Sequence, residues 1–276
     1  MSNLPEVHDE KPRVMIGLDA VGIRGLKTRI ALCRSNCIEY PIILYMYVDL
    51  PDSMRGVHVS RFIDALDKVR KNRYDSVIGF LRELARELLV RHNYSKQVVI
   101  EAETLLYTNE YNGVNTRYGV KASRDGDHRE YLVIEIAGLT TCPCARELYS
   151  FVEKIPAENS PTHMQRTKLI VRIAGNRIEV DPIVLVENLE NVFSNKLEPR
   201  LKRLDEYELI RDAIRNPKFV EDVVRDAVAI LSSMLDRNYW VSIRAISEES
   251  IHPYDIEAII EGELDTLRRI LRKESS

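Results

Sequence analysis

The chain has 276 residues, 45% of them hydrophobic, enough to bury a core as one large domain or as two smaller ones. Its formal net charge is -3, with acidic and basic residues interleaved, which argues against a general nucleic-acid binder but leaves room for a small anionic ligand held by a few local cations. No apolar run approaches the roughly 20 residues of a membrane span. The polar, acidic start MSNLPEVHDEKPR is no signal peptide, so a cytoplasmic protein is expected.

Residues 1–12 read as a mobile arm. Val14 to Leu32, rich in Val, Ile and Leu, reads as two short strands joined by a turn at Gly22, and Tyr40 to Leu50 as a strand stopped by Pro51. Val59 to Val69 and Tyr74 to Val90 carry apolar residues at helical spacing, so two amphipathic helices are predicted. Gln97 to Tyr107 is strand-like. Thr116 to Ala122 and Glu130 to Ile136 form a predicted hairpin turning at SRDGDH. A second predicted hairpin spans Lys168 to Val180 with its turn at Gly175 and Asn176.

Helices are expected at Pro182 to Phe193, Glu206 to Ile214 and Pro217 to Leu235, the last capped by Asn216. Tyr239 to Ile246 and Tyr254 to Leu264 read as closing strands. Each half thus runs strands, helices, strands. The expected class is α+β: two modules in tandem, residues 13–150 and 151–276, each an antiparallel sheet with helices on one face. The boundary falls within 150–162.

The four cysteines are Cys33, Cys37, Cys142 and Cys144. In a cytosolic chain they are expected as thiols or metal ligands rather than disulfides. Cys33 and Cys37 lie in strand-like sequence and read as structural. Cys142 and Cys144 flank a proline after a predicted strand. Alone they read as small residues in a turn, since C-x-C with no second pair is not a zinc ribbon. His163, in a loop entering a strand, changes the balance. A thiol, an imidazole and a carboxylate make a mixed site that leaves a coordination position for water, as catalytic metals require.

Glu206, in LKRLDE, is a first-turn glutamate that could serve either the helix dipole or such a metal. Glu221, in NPKFVED, reads as a surface charge or as a carboxylate that can accept a bidentate pair of N–H groups from a ligand. Glu249 and His252 can pair for proton transfer, or simply close a loop. His58 and Arg61, at a helix start, suit an anion, as does Arg166 beside His163. His8, His92 and His128 have no partner in view and read as surface residues. The charged content, 30%, resembles that of proteins from hot environments.

In order along the chain stand VDLPDSMRGVHVSRF, GLTTCPCARE, PTHMQR, LKRLDE, NPKFVEDVVRDA and ESIHPYD. Together they resemble the type IB GTP cyclohydrolase family, and PTHMQR resembles its archaeal, MptA-type branch. The resemblance spans Val48 to Asp255. It implies the tunnelling fold, with two modules per chain assembling into a barrel, and a homo-oligomer (dimer or tetramer) with sites at subunit interfaces. Closing edges in this way also protects unpaired strands.

The resemblance further implies Cys142, His163 and Glu206 as metal ligands, Glu221 as the purine anchor, and Glu249 with His252 as the acid/base pair. It implies GTP as substrate, Fe(II) as metal with Zn or Mn as alternatives, and formate as a product. The pterin product would be 7,8-dihydroneopterin 2',3'-cyclic phosphate in the archaeal branch and the triphosphate in the bacterial one. Two competing readings are a nitrile reductase of the same fold, which needs a nucleophilic cysteine and no metal, and a non-catalytic purine-binding protein.

Overall fold

The computed structural model of the chain describes residues 6–33 and 36–274. Among the described residues nine strands form one sheet in the order β1-β2-β3-β4-β5-β6-β8-β9, with β7 paired to β5. Their ranges are β1 Leu18–Cys33, β2 Cys37–Leu50, β3 Gln97–Tyr107, β4 Gly113–Ser123, β5 His128–Thr141, β6 Met164–Gly175, β7 Asn195–Lys196, β8 Trp240–Glu248 and β9 Ile256–Glu263. The helices are α1 Val59–Val69, α2 Val77–Arg91, α3 Pro143–Glu153, α4 Pro182–Leu189, α5 Arg203–Arg215, α6 Val220–Met234 and α7 Leu264–Glu274. Among the described residues no helix is long and apolar enough to cross a membrane.

The chain divides into two compact units that interleave in sequence. One runs to Thr104 and takes in Arg117–Leu132 and Gly175–Ile178. The other comprises Leu105–Thr116, Val133–Ala174 and Glu179 onward. In the first, strand alternation sends Leu44, Met46 and Val48 of β2 and Val98, Ile100 and Ala102 of β3 to one face. The buried stripes of α1 (Phe62, Leu66, Val69) and α2 (Phe80, Leu81, Leu84, Leu88) complete that core. In the second, Leu169, Val171 and Ile173 of β6 and Val241, Ile243 and Ala245 of β8 are buried, as are Val223, Val224, Ala227 and Leu231 on α6, which packs on β8.

The boundaries of α1 and β3 coincide with the sequence expectation. Elsewhere the structure differs, each time for a local reason. Gly22 makes no turn, for β1 is one continuous strand with irregularities at Leu18/Val21 and Arg24/Leu26. A Cβ at Gly22 would stand 1.8 Å from Met46 O, so the glycine permits close strand approach rather than reversal. Cys33 and Cys37 are not free thiols; they are joined by a disulfide at the end of the β1–β2 hairpin.

The hairpin expected over Lys168 to Val180 has no return strand. β6 pairs instead with β8, Ile178 N donates to Glu130 Oε2 (2.8 Å), and Asp181 caps α4 through Ile183 N (2.9 Å). Asn216 does not start α6. It ends α5, donating to Phe193 O (3.2 Å), while Asp222 Oδ2 reaches back to Phe219 N (3.1 Å) to close the first turn of α6. β9 stops at Glu263, and the residues that follow form α7.

The arm expected to be mobile is docked over its described part, and residues 1–5 lie outside the described residues. Its Val7–Asp9 turn is a short 3-10 helix, and His8 O accepts Arg55 N and Gly56 N. His92, expected at the surface, is fully buried against Phe62 with ring centroids 4.4 Å apart. Burial lowers its pKa, favouring the neutral ring. His128 is also partnered, its Nε2 2.7 Å from Glu130 Oε1.

Candidate active site

Cys142 stands where β5 ends and α3 begins. Pro143 occupies the first helical position, where its missing N–H costs nothing, and Cys142 Sγ accepts Ala145 N (3.4 Å) as the cap. The loop before β6 is laced to this junction. Cys142 N donates to His163 O (3.2 Å), and Thr162 Oγ1 donates to Cys142 O (2.7 Å). Cys142 and His163, distant in sequence, are therefore backbone neighbours.

Strand geometry then sets the orientation of His163. His163, Gln165 and Thr167 share one face by the two-residue period, and Gln165 and Thr167 are buried. β6 pairs with β8 through Arg166↔Glu248 and Thr167↔Ser247, so the next step of that register sets Gln165 opposite Glu249. Gln165 Nε2 donates to Glu249 Oε1 (3.3 Å), which also accepts Ser247 Oγ (2.8 Å). A carboxylate only accepts, so this contact fixes which end of the amide is nitrogen. Gln165 Oε1 then faces His163 Nδ1 at 2.9 Å, and an amide oxygen also only accepts. Nδ1 therefore carries the proton and Nε2 keeps its lone pair.

Glu249 and His163 are mostly buried, with side-chain exposures of 7% and 15%, and Glu249 Oε2 lies 4.0 Å from His163 Nδ1. Thus the histidine facing Glu249 in this chain is His163. His252, on the exposed bend that follows, stacks on Tyr254 with centroids 5.1 Å apart and planes 5° apart. Gln165 carries no motif signal of its own. What could have exposed its role is the His-x-Gln spacing on a strand face, which needs the register with β8 to be read.

Around this junction, α5 ends and α6 begins. Thr141 Oγ1 donates to Ala213 O (2.7 Å), Arg146 Nη1 to Ile214 O (3.0 Å), and Lys218 N to Thr141 O (3.1 Å). Glu221 lies in the exposed first turn of α6, one turn from that anchor. Glu206 lies at the opposite end of α5, roughly 10 Å along the helix axis from Ala213 at about 1.5 Å per residue. The structure brings Cys142, His163 and Glu249 to one neighbourhood, with the start of α6 beside it, and leaves Glu206 on the far end of its helix. Arg166, exposed, faces away from His163 on β6.

In the other unit, His58 caps the start of α1 but meets carboxylates rather than an open anion site: Nε2 is 3.1 Å from Asp9 Oδ1 and Nδ1 is 3.8 Å from Glu6 Oε1. Arg61 Nη1 donates to Arg91 O (3.2 Å), and its guanidinium lies 5.8 Å from the Tyr94 ring centroid.

The antiparallel sheet and its helices make a tunnelling fold, as the likeness to solved uricases shows. The solved uricase from Arthrobacter globiformis superposes with a TM-score of 0.56 over 91% of this chain and 96% of its own, at 8% identity, a likeness of fold alone. Uricase from Bacillus subtilis gives 0.51 over 88% and 97%, at 11% identity. By sequence, residues 4–258 match the family described as Type I GTP cyclohydrolase folE2, and the chain belongs to that family.

Its relatives include GTP cyclohydrolase MptA of Aeropyrum pernix, 32% identical across 96% of this chain and 98% of the relative. MptA 2 of Methanocella arvoryzae is 31% identical over 96% and 98%, and MptA of Thermoplasma volcanium 31% over 94% and 95%. The MptA-type resemblance read from the six motifs is therefore upheld.

Proposed function

We propose that this enzyme opens the imidazole ring of GTP's guanine, releases formate and, as the ribose-bound phosphate cyclises, diphosphate, and forms 7,8-dihydroneopterin 2',3'-cyclic phosphate; the alternative is the bacterial-branch product, which keeps its triphosphate. The observation that carries the reading is the Glu249–Gln165–His163 relay beside the Cys142 cap. The donor set fits a catalytic cation, Fe(II) by resemblance and Zn or Mn by donor type: a capping thiol and an imidazole whose Nε2 is kept free by the amide on Nδ1. Such a cation would supply Lewis acidity and activated water.

The chain's own groups divide the remaining work. Cys142 and His163 Nε2 would hold the cation, and a carboxylate would complete the set. Glu206 is the one the family resemblance implies; Glu249 is the one near His163 in this chain. Glu249 Oε1 is occupied by Ser247 and Gln165, so Oε2 is the oxygen available to carry a proton as water adds at C8 and the C8–N9 bond opens. His252 is the proposed second proton carrier. Glu221 accepts N1–H and the 2-amino group of guanine. Arg166 is the proposed phosphate contact, and its exposed face suits a site shared with another subunit. A homo-oligomer is supported by α3, which buries none of its residues and exposes Leu148, Phe151 and Val152.

Anaerobic incubation of the Fe(II)-loaded protein with GTP tests the reading. Stoichiometric formate and a pterin bearing one cyclic phosphate are expected. An intact triphosphate moves the chain to the alternative product, and no formate overturns the proposal. Gln165→Leu is expected to weaken metal affinity about 10- to 100-fold, while Gln165→Glu, which can still accept from Nδ1–H, recovers most of it. Metal titration by calorimetry reads both variants.

A further inference from the structure

We propose that Glu6, His8 and His58 form a second divalent-cation site, of the nitrogen–oxygen type suited to Zn(II), Co(II) or Ni(II), which staples the N-terminal arm to the start of α1. Ligand atoms of all three lie within 4.8 Å of one another. Glu6 Oε1 is 2.8 Å from His8 Nδ1 and 3.8 Å from His58 Nδ1, and the two imidazole centroids are 4.9 Å apart. Tetrahedral donors at about 2.1 Å from a cation sit roughly 3.4 Å from each other, so the observed spacings bracket a chelate that shifts of about 1 Å would close.

A second observation points the same way. Asp9 Oδ1 lies 3.1 Å from His58 Nε2. The carboxylate can only accept, so Nε2 carries the hydrogen, which in a neutral ring leaves the lone pair on Nδ1, toward Glu6; the Nδ1–H by which His8 donates to Glu6 Oε1 would be released when a cation binds there. A carboxylate on the far nitrogen is the usual support of a metal-bound imidazole. His58 is held in a restricted setting, its side chain 11% exposed, whereas Glu6 and His8 approach from solvent.

His8 is positioned without help from a metal. Its carbonyl accepts Arg55 N (3.1 Å) and Gly56 N (3.2 Å), and Arg55 Nη1 donates to Glu10 Oε2 (2.7 Å). A Cβ at residue 56 would stand 3.1 Å from His8 Cδ2, so Gly56 makes room for the ring. Glu6 and Asp9 place two carboxylates against His58, which favours a cation over the anion expected there from the sequence.

The test is Zn(II) binding to the full, chelator-stripped chain, counted by equilibrium dialysis in wild type, His8→Gln and His58→Gln. Each variant is expected to bind one Zn(II) fewer per chain than wild type, and Asp9→Asn to keep the stoichiometry but weaken that site about 10- to 100-fold. Zn(II) is also expected to slow tryptic cleavage after Arg13 in wild type and not in His8→Gln. Equal stoichiometry in wild type and both histidine variants would overturn the proposal, whatever binds at Cys142. So would Zn(II) protection of Arg13 that persists in His8→Gln.

Discussion

Cys142→Ala and His163→Ala are each expected to lose tightly bound metal and GTP ring opening together. A catalytic cation contributes several kcal/mol of transition-state stabilisation, so its loss corresponds to a rate decrease on the order of a thousandfold or more. The fold should survive both changes. Neither side chain belongs to the apolar core, and the tie between the two segments runs through backbone, Cys142 N to His163 O, with Thr162 Oγ1 as its companion. Metal analysis and formate release, with circular dichroism as the folding control, read the outcome.

The carboxylate variants separate two assignments. If Glu206 completes the metal set, Glu206→Gln loses metal, and Glu249→Gln keeps metal but loses turnover. The reverse pattern assigns the ligand role to Glu249. Metal retained in Cys142→Ala with normal turnover contradicts the whole assignment.

The largest stability effect is expected at a carboxylate remote from this chemistry. Glu130 is fully buried yet ionised. Burial pushes its pKa up, but the Arg82 guanidinium, His128 and Ile178 N–H outweigh that, and the net pKa lies below the ordinary glutamate range. Arg82 binds it with two N–H groups, Nε to Oε1 at 2.7 Å and Nη2 to Oε2 at 3.0 Å. Arg82→Ala removes the bidentate cationic partner of this buried charge, leaving only His128 and Ile178 N–H, and is expected to cost about 3 kcal/mol.

Because the folded pKa is depressed, this contribution is present at pH values above the unfolded glutamate pKa and is lost as pH falls through the lower folded value. Urea unfolding of wild type across the acid range should therefore show stability falling with pH. Arg82→Ala should start lower and fall less steeply over the same window. Equal stability of the two proteins at neutral pH would contradict this reading.

Several elements were legible because their signals are local. The apolar spacing of Phe62, Leu66 and Val69 bounds α1 without reference to the rest of the chain. SRDGDH marks its turn through Gly126, whose φ of 94° is open to glycine. What was not legible depends on partners distant in sequence. Gly22 reads as a turn until Met46 O is known to lie against it. The strand expected after Gly175 is absent because β8 takes the edge of β6.

The same holds for the site. Ligand-type residues stand out in the six motifs, Cys142 and His163 among them, and the structure makes these two backbone neighbours. Gln165 was not, because its role exists only through the register that sets it opposite Glu249. Pro143 is a helix-start signal hidden inside a C-P-C motif that reads more readily as a turn.

Ligation of the proposed cation by the Cys142 thiolate is tested most directly in the Co(II)-substituted protein. Anaerobic wild type should show a strong near-ultraviolet sulfur-to-cobalt charge-transfer band. Cys144→Ser should keep that band and Cys142→Ser should lose it. A band that persists in Cys142→Ser, or never forms in wild type, would contradict the account.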